Sequence, residues 1–116
     1  MMEDVFCKIV KKEIPAEIIA EEEEWLAIKD IHPQAPVHVL IIPKKHIEGM
    51  AKITEAEAEL VKKLLLAVNK VAKQMDLDEK GFRLIINQGE HSGQMVPHLH
   101  IHLLGGKKLG PKIVKD

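Results

Sequence analysis

This chain of 116 residues contains one cysteine, one tryptophan, two phenylalanines and no tyrosine. A single cysteine excludes a disulfide within the chain, so the fold has to be stabilised by its core. The chain also lacks a long apolar run, and its N-terminal region lacks the apolar stretch and cleavage site of a secretory signal. We therefore predict a cytoplasmic protein with no membrane association.

Neither sign of charge is in excess, since 17 Lys and Arg are balanced by 18 Asp and Glu. With no extended basic block, this balance gives little long-range attraction for nucleic acid or anionic lipid, and we predict neither as a partner. Length and an apolar fraction of 46% are typical of one globular domain, here residues 1–116. Any bound phosphate has to be held by local geometry.

The periodicity of apolar residues predicts an α+β domain. Helical spacing indicates a short helix over 4–12 and a long helix over 54–75, which starts with a capping box of Thr54 and Glu57. Short apolar runs predict five strands, at 18–20, 25–28, 37–43, 82–87 and 98–104. Hairpin-scale connections favour a mostly antiparallel sheet, with helices on one face and the other face partly open.

The long helix carries an apolar stripe that should face the core rather than a cofactor. Its members are Val61, Leu64, Leu65, Val68, Val71, Ala72 and Met75.

What the chain does have is seven histidines, and most of them are clustered. His98, His100 and His102 alternate in the last predicted strand, so their rings should form a row on one face. At about 3.3 Å per residue the outer two Cα atoms are roughly 13 Å apart, too far for one zinc ion to bind all three rings. Two of these rings with His38 could still bind a metal, and plain surface histidines are the other alternative.

A row of imidazoles beside a glycine-rich loop suits a displacement at phosphorus. Imidazole can act as a neutral nucleophile and as an acid in the same pH range, and the N–H groups of loop 89–95 can cradle phosphoryl oxygens. The chain shows no acidic cluster suited to magnesium. This pattern predicts metal-independent nucleotidyl transfer or phosphoramide hydrolysis.

The segment 98–104, HLHIHLL, resembles the His-φ-His-φ-His-φ-φ signature of the histidine triad (HIT) family. Further segments agree in order: CKIVKKEIPAEII, DIHPQAPVHVLIIPKKHI, Asn87, the Gly-Gln pair at 93–94 and LGG at 104–106. They are similar to the Hint branch, the purine nucleoside phosphoramidases. The resemblance implies a five-stranded antiparallel sheet with one long and one short helix, continued across a homodimer.

The resemblance also implies hydrolysis of the P–N bond of purine nucleoside 5′-phosphoramidates, such as adenosine 5′-phosphoramidate or AMP-lysine, through a nucleotidyl-histidine. His100 would be the nucleophile, and the carbonyl of His98 would orient its ring. His38 and His102 would assist the leaving group. Asp30 would bind the ribose hydroxyls of an AMP- or GMP-type nucleotide, although a role in a turn is equally open for this residue.

By the same match, further residues would contact the nucleotide: Phe6, Ile9, Ile28 and Ile31 the purine, and Asn87, Gly93, Gln94 and Met95 the phosphate. The apolar four could equally be ordinary core, and Asn87 a turn residue. Met95 stands where relatives commonly have serine, and the C-terminus lacks the Trp-Pro-Pro-Gly arm of Hint proteins, so the leaving group stays open. The alternatives are a dinucleoside polyphosphate hydrolase of the same family and a non-catalytic purine nucleotide-binding protein.

Some members of the family bind structural zinc through a Cys-x-x-Cys pair and histidines. Asp4 stands where the first cysteine would be, which leaves Cys7 and His46 as two ligands against the usual four. We therefore predict no metal and no cofactor, and interpret Cys7 as a small buried hydrophobe. His32 and His91 are expected at the surface.

Overall fold

The computed structural model describes residues 3–111, and over that range the chain forms two α-helices and one five-stranded antiparallel sheet. The elements are α1 (Val5–Val10), β1 (Ile18–Glu21), β2 (Trp25–Lys29), β3 (Val37–Pro43), α2 (Ala58–Gln74), β4 (Arg83–Ile85) and β5 (Ile101–Gly105). The strands lie in the order β1-β2-β3-β5-β4. This architecture confirms the predicted α+β class, the five strands and the two helices. No helix within residues 3–111 is long and apolar enough to cross a membrane.

The two helices lie on opposite faces of the sheet, so the expectation that helices cover one face was wrong. α2 packs on a core that includes Val39 and Ile41 of β3, whereas α1 packs on Leu40 and Ile42 of the same strand. Neighbouring residues of a strand point to opposite faces. Because β3 is apolar at both sets of positions, each face needs cover, and the six-residue α1 covers only part of its face.

α2 runs from Ala58 to Gln74 and is therefore shorter at both ends than the predicted helix over 54–75, although the predicted capping box is present. Thr54 and Glu57 form the capping box, a 3₁₀ turn leads into the helix, and the helix ends at Gln74. The predicted stripe was wrong at Leu65, which is 52% exposed. The buried positions are Leu60, Leu64, Ala67, Val68, Val71 and Ala72. They follow a helical repeat that starts one residue earlier, at Leu60 rather than Val61, and Leu65 lies beside that stripe rather than within it.

The last strand begins at Ile101, so the prediction of a strand over 98–104 was wrong for its first three residues. The β3–β5 ladder pairs Ile41 with Ile101 and then stops. Continuing it would bring Pro43, which has no N–H to donate, opposite Leu99. Leu99 instead donates its N–H to the carbonyl of Ile47, at 2.6 Å. His98 therefore leaves the sheet, and the three rings do not form one straight row.

Candidate active site

The histidines near β5 separate into two clusters. The His38 cluster consists of Asp30, His38, His100 and His102, and the Asp4 cluster consists of Asp4, Cys7, His46 and His98. The register of β3 against β5 pairs Leu40 with His102, which brings the rings of His38 and His102 together on the α1 face. The exposed His32 and His91 belong to neither cluster, which confirms their predicted surface position.

Hydrogen bonds in the His38 cluster determine where the protons lie. The N–H of Gln34 donates to Nδ1 of His38 at 3.0 Å, so a neutral His38 carries its proton on Nε2. That Nε2 lies 2.9 Å from Nδ1 of His102 and 3.4 Å from a carboxylate oxygen of Asp30. His102 therefore accepts at Nδ1 and carries its own proton on Nε2. Burial lowers the pKa of His38, and this effect outweighs the opposing effect of the Asp30 charge. The net shift favours the neutral ring.

His100 has the geometry of a nucleophile. Its Nδ1 donates to the carbonyl of His98 at 2.7 Å, so the lone pair of the neutral ring is on Nε2. Within residues 3–111 no hydrogen bond occupies that Nε2. Burial lowers the pKa of His100, although the bond to the His98 carbonyl opposes the shift. A neutral imidazole with one free nitrogen is the form that attacks phosphorus.

Asp30 forms the turn that the sequence left open. One carboxylate oxygen accepts the N–H of His32 at 2.8 Å, while the other faces His38. A carboxylate offers about four acceptor positions, so these contacts leave positions for a ligand. Ile31, next along the chain, is 84% exposed and lies outside the core.

Three more residues were predicted to contact the purine: Phe6, Ile9 and Ile28. They are buried together on the α1 face, which agrees with the alternative that they are ordinary core residues. Phe6 also contacts two of the histidines, since its ring lies edge-on to His98 and His100 at centroid distances of 5.8 and 5.0 Å. Sequence reasoning missed this contact, because helical spacing places Phe6 on the core but does not say which rings meet it.

The loop 89–95 is held by the side chain of Gln94. Its Oε1 accepts from the N–H of Gly89 at 2.7 Å, and its Nε2 donates to the carbonyls of Glu48 and Val96. The N–H groups of Gly93 and Gln94 bond within the loop, whereas that of Met95 has no partner within residues 3–111. Phosphate contacts at Asn87, Gly93, Gln94 and Met95 stay predictions, and Met95 offers the free donor.

The Asp4 cluster joins four segments that are distant in sequence. Nδ1 of His98 lies 3.1 Å from Asp4 Oδ2 and 3.6 Å from Cys7 Sγ. Nδ1 of His46 lies 3.0 Å from the same Asp4 oxygen and 3.3 Å from the same sulfur. Cys7 is half-buried and meets polar atoms, so its interpretation as a buried hydrophobe was wrong. The i, i+3 spacing of Asp4 and Cys7 on α1 was the available signal.

Comparison with known proteins gives consistent matches. A family model described as HIT domain matches residues 11–109. An uncharacterized HIT-like protein of Synechococcus elongatus is 49% identical over 110 residues, 94% of this chain and 96% of the relative. The structure of a HIT family hydrolase from Clostridium thermocellum is 53% identical with a TM-score of 0.93, covering 98% of this chain and 99% of that one. A histidine triad nucleotide-binding protein from Candida albicans is 33% identical with a TM-score of 0.81, covering 98% and 87%.

Proposed function

Because this chain belongs to the HIT domain family, we propose that it hydrolyses the P–N bond of purine nucleoside 5′-phosphoramidates with His100 as the nucleophile. The observation that carries the proposal is the free Nε2 of a neutral His100, fixed by the bond from Nδ1 to the His98 carbonyl. The names of a hydrolase and a nucleotide-binding protein among the similar structures support the same class of ligand and reaction.

In the first step, Nε2 of His100 attacks the α-phosphorus and the P–N bond breaks. The imidazole then carries a positive charge, which the His98 carbonyl stabilises at Nδ1–H. The departing nitrogen takes up one proton, and His102 presents its Nε2–H for that transfer. For this transfer the His38–His102 pair has to hold one proton more than in the free enzyme. The pair takes up that proton from water when the substrate binds, because the anionic phosphate nearby favours the protonated form.

In the second step, water attacks the nucleotidyl-histidine. Hydroxide is added to phosphorus, the bond to Nε2 breaks, and one proton is released through His102, so the enzyme returns to its starting state. The nucleoside monophosphate leaves as the product. No metal ion takes part in either step.

Contacts from Asp30, Ile31 and Met95 with the substrate complete the proposal. The N–H of Met95, which has no partner within the described range 3–111, binds a phosphoryl oxygen in the way that backbone nests bind anions. Asp30 uses its remaining acceptor positions for the ribose hydroxyls, and the exposed Ile31 covers one side of the base. We also propose that the amine side of the substrate is contacted by the Met95 side chain, which is exposed.

We also propose that the chain forms a homodimer through the β4 edge. β4 is the last strand of the sheet, so one side of its backbone faces no other described strand. Leu84 pairs with Leu103 and therefore points to the α2 face, where Leu65 and Leu66 are also exposed. A strand edge that faces no other described strand, on a molecule with exposed leucines on the α2 face, favours pairing with a second copy. Sedimentation should give about twice 13.1 kDa, and a Leu66→Lys variant should lower that mass.

The test of the proposed reaction is His100→Ala, assayed on AMP-lysine beside a dinucleoside polyphosphate. We expect turnover of AMP-lysine to fall by about 10³-fold or more, because the step that forms the covalent bond is lost. AMP binding by calorimetry should change little. The matched control is His91→Ala, an exposed histidine outside both clusters, which should keep full activity.

Rapid quenching and mass spectrometry of the wild-type protein should find AMP bound to His100. Near-normal turnover in His100→Ala would exclude the mechanism. Faster cleavage of the dinucleoside polyphosphate than of AMP-lysine would assign the phosphoanhydride reaction instead. AMP binding with neither adduct nor product would indicate a non-catalytic nucleotide-binding protein.

A further inference from the structure

Two glutamine side chains tie loop 89–95 to the segment that follows β3. The carboxamide of Gln94, near the end of the loop, donates through Nε2 to the carbonyl of Glu48 at 2.9 Å. Gln88, immediately before the loop, accepts the N–H of Ala51 on its Oε1 at 2.8 Å. The two ends of the loop are therefore tied to the same short segment.

The bond to Gln88 takes the place of a helix cap. Met50–Lys52 form a 3₁₀ turn whose N-cap residue is Gly49. An N-cap side chain, usually that of Ser, Thr, Asp or Asn, accepts the N–H of the second or third residue of the helical turn. Glycine has no such side chain, and the N–H of the second residue, Ala51, is bound by Gln88 instead. The cap of this turn is therefore supplied by a residue 37 positions away in the sequence.

Gly49 makes room for this cap. A Cβ at position 49 would overlap Oε1 of Gln88 and would lie 3.4 Å from Nε2 of Gln94. The residue is buried, and its backbone is extended with a φ of 173°, a conformation that other residues also adopt. The lack of a side chain at position 49 therefore serves the two carboxamides that lie against it, rather than the path of the backbone.

We propose that Gln88 is a positioning residue for loop 89–95 and that Gly49 admits its side chain. The loop turns at Gly89, whose φ of 78° lies in the left-handed region that favours glycine. The carbonyl of Gly89 accepts the N–H of Gln94 at 3.2 Å, and its own N–H donates to the side chain of the same residue at 2.7 Å. Because Gln88 immediately precedes this turn, its bond to the neighbouring segment fixes the point from which the loop starts.

The role of Gln88 rests on the proposed function, in which the N–H of Met95 binds a phosphoryl oxygen. Met95 directly follows Gln94, so the direction of its N–H depends on where the loop is held. The same donor would contact the phosphate before and during the reaction. A loosened loop should therefore weaken substrate binding more than it slows the chemical step. Gln88 acts through the loop and does not itself contact the substrate.

The test compares two substitutions that release Gln88 in different ways. Gln88→Ala removes the cap, whereas Gly49→Ser displaces the Gln88 carboxamide and offers its own hydroxyl to the N–H of Ala51. We expect each variant to raise the KM for AMP-lysine and the Kd for AMP by about fivefold, the worth of one hydrogen bond, and to keep kcat within about twofold. The double variant should be no weaker than either single variant, because both substitutions break the same contact.

Two comparisons separate this positioning role from damage to the fold. Gly49→Ser should keep the melting temperature of the wild type, because the turn keeps a cap, so a raised KM in this variant reports on the loop. The matched control is Gln74→Ala, which also removes one bond from a glutamine side chain to a backbone carbonyl, that of Ile19. It should leave both KM and Kd unchanged.

Hydrogen exchange of the ligand-free proteins, measured by NMR, tests the tie without any substrate. The N–H of Gly89 should exchange faster in both variants, whereas that of Ala51 should lose protection in Gln88→Ala and keep it in Gly49→Ser. Unchanged exchange at Gly89 would overturn the role of Gln88, and so would faster exchange with unchanged KM and Kd. A wild type without turnover would reject the proposed reaction alone, because AMP binding and exchange still report on the loop.

Discussion

The two clusters around His98–His102 both combine histidines with an aspartate, and the Asp4 cluster adds a cysteine, yet the ring nitrogens have different partners in each. In the His38 cluster His38 donates to Nδ1 of His102, while His100 donates separately to the His98 carbonyl and keeps an Nε2 without a hydrogen bond within residues 3–111. In the Asp4 cluster the Nδ1 atoms of both histidines face one carboxylate and one sulfur. The partner of the second ring nitrogen, rather than the residue type, decides what a histidine can do.

His98 belongs to both clusters through different atoms. Its ring lies in the Asp4 cluster, and its carbonyl orients His100 in the His38 cluster. The ring of His98 and the ring of His100 are therefore two residues apart in one segment but belong to different clusters. Three predictions test the roles assigned within the His38 cluster, in order of expected effect.

The largest effect is expected for His102→Ala, because His102 presents the Nε2–H that serves the departing nitrogen. We expect the kcat for AMP-lysine to fall by about 10²- to 10⁴-fold, the usual contribution of a general acid. The loss should be smaller for an adenosine 5′-phosphoimidazolide, whose leaving group needs less assistance. Steady-state kinetics on both substrates check this, with His32→Ala as the control. An equal loss on both substrates would contradict the assigned role.

A smaller effect is expected for Asp30→Asn, which keeps the size of the side chain but removes its charge. We expect the KM for an adenosine phosphoramidate to rise by about tenfold, because a charge-assisted hydrogen bond to the ribose is weakened. The wild type should prefer the ribonucleotide to its 2′,3′-dideoxy analogue, and the variant should lose most of that preference. A preference that survives the substitution would leave Asp30 with only its role in the turn.

The smallest effect concerns the proton of His38. Burial lowers the pKa of His38 below its usual 6.5, and the Asp30 charge opposes that shift by favouring the protonated ring. Asp30→Asn should therefore lower the pKa of His38 further. A ¹⁵N NMR titration of both proteins measures this, and above the pKa it should find Nε2 protonated and Nδ1 bare. A higher pKa in the variant would contradict the electrostatic argument.

Much of the fold could be predicted because local patterns are strong. β3 has the predicted bounds of 37–43, and the predicted capping box of Thr54 and Glu57 forms just before the long helix. The error at Leu65 arose because two overlapping helical stripes fit the same apolar residues, and only packing selects one. The error on the helix faces arose because a strand that is apolar on both sides, as β3 is, does not say which helix covers which side.

The sequence by itself determined the strands, the long helix, the alternation of His98, His100 and His102, and through it the resemblance to the HIT family. Tertiary structure decided which atoms of those histidines meet which partners. Asp4 and His98 are 94 residues apart in sequence, His38 and His102 are 64 apart, and the acceptor for the His98 ring is the backbone of Pro43. Periodicity in the sequence indicates which face of a strand a side chain lies on. The partner of each ring nitrogen depends on how distant segments pack, and that partner decides which nitrogen carries the proton and what the ring can do.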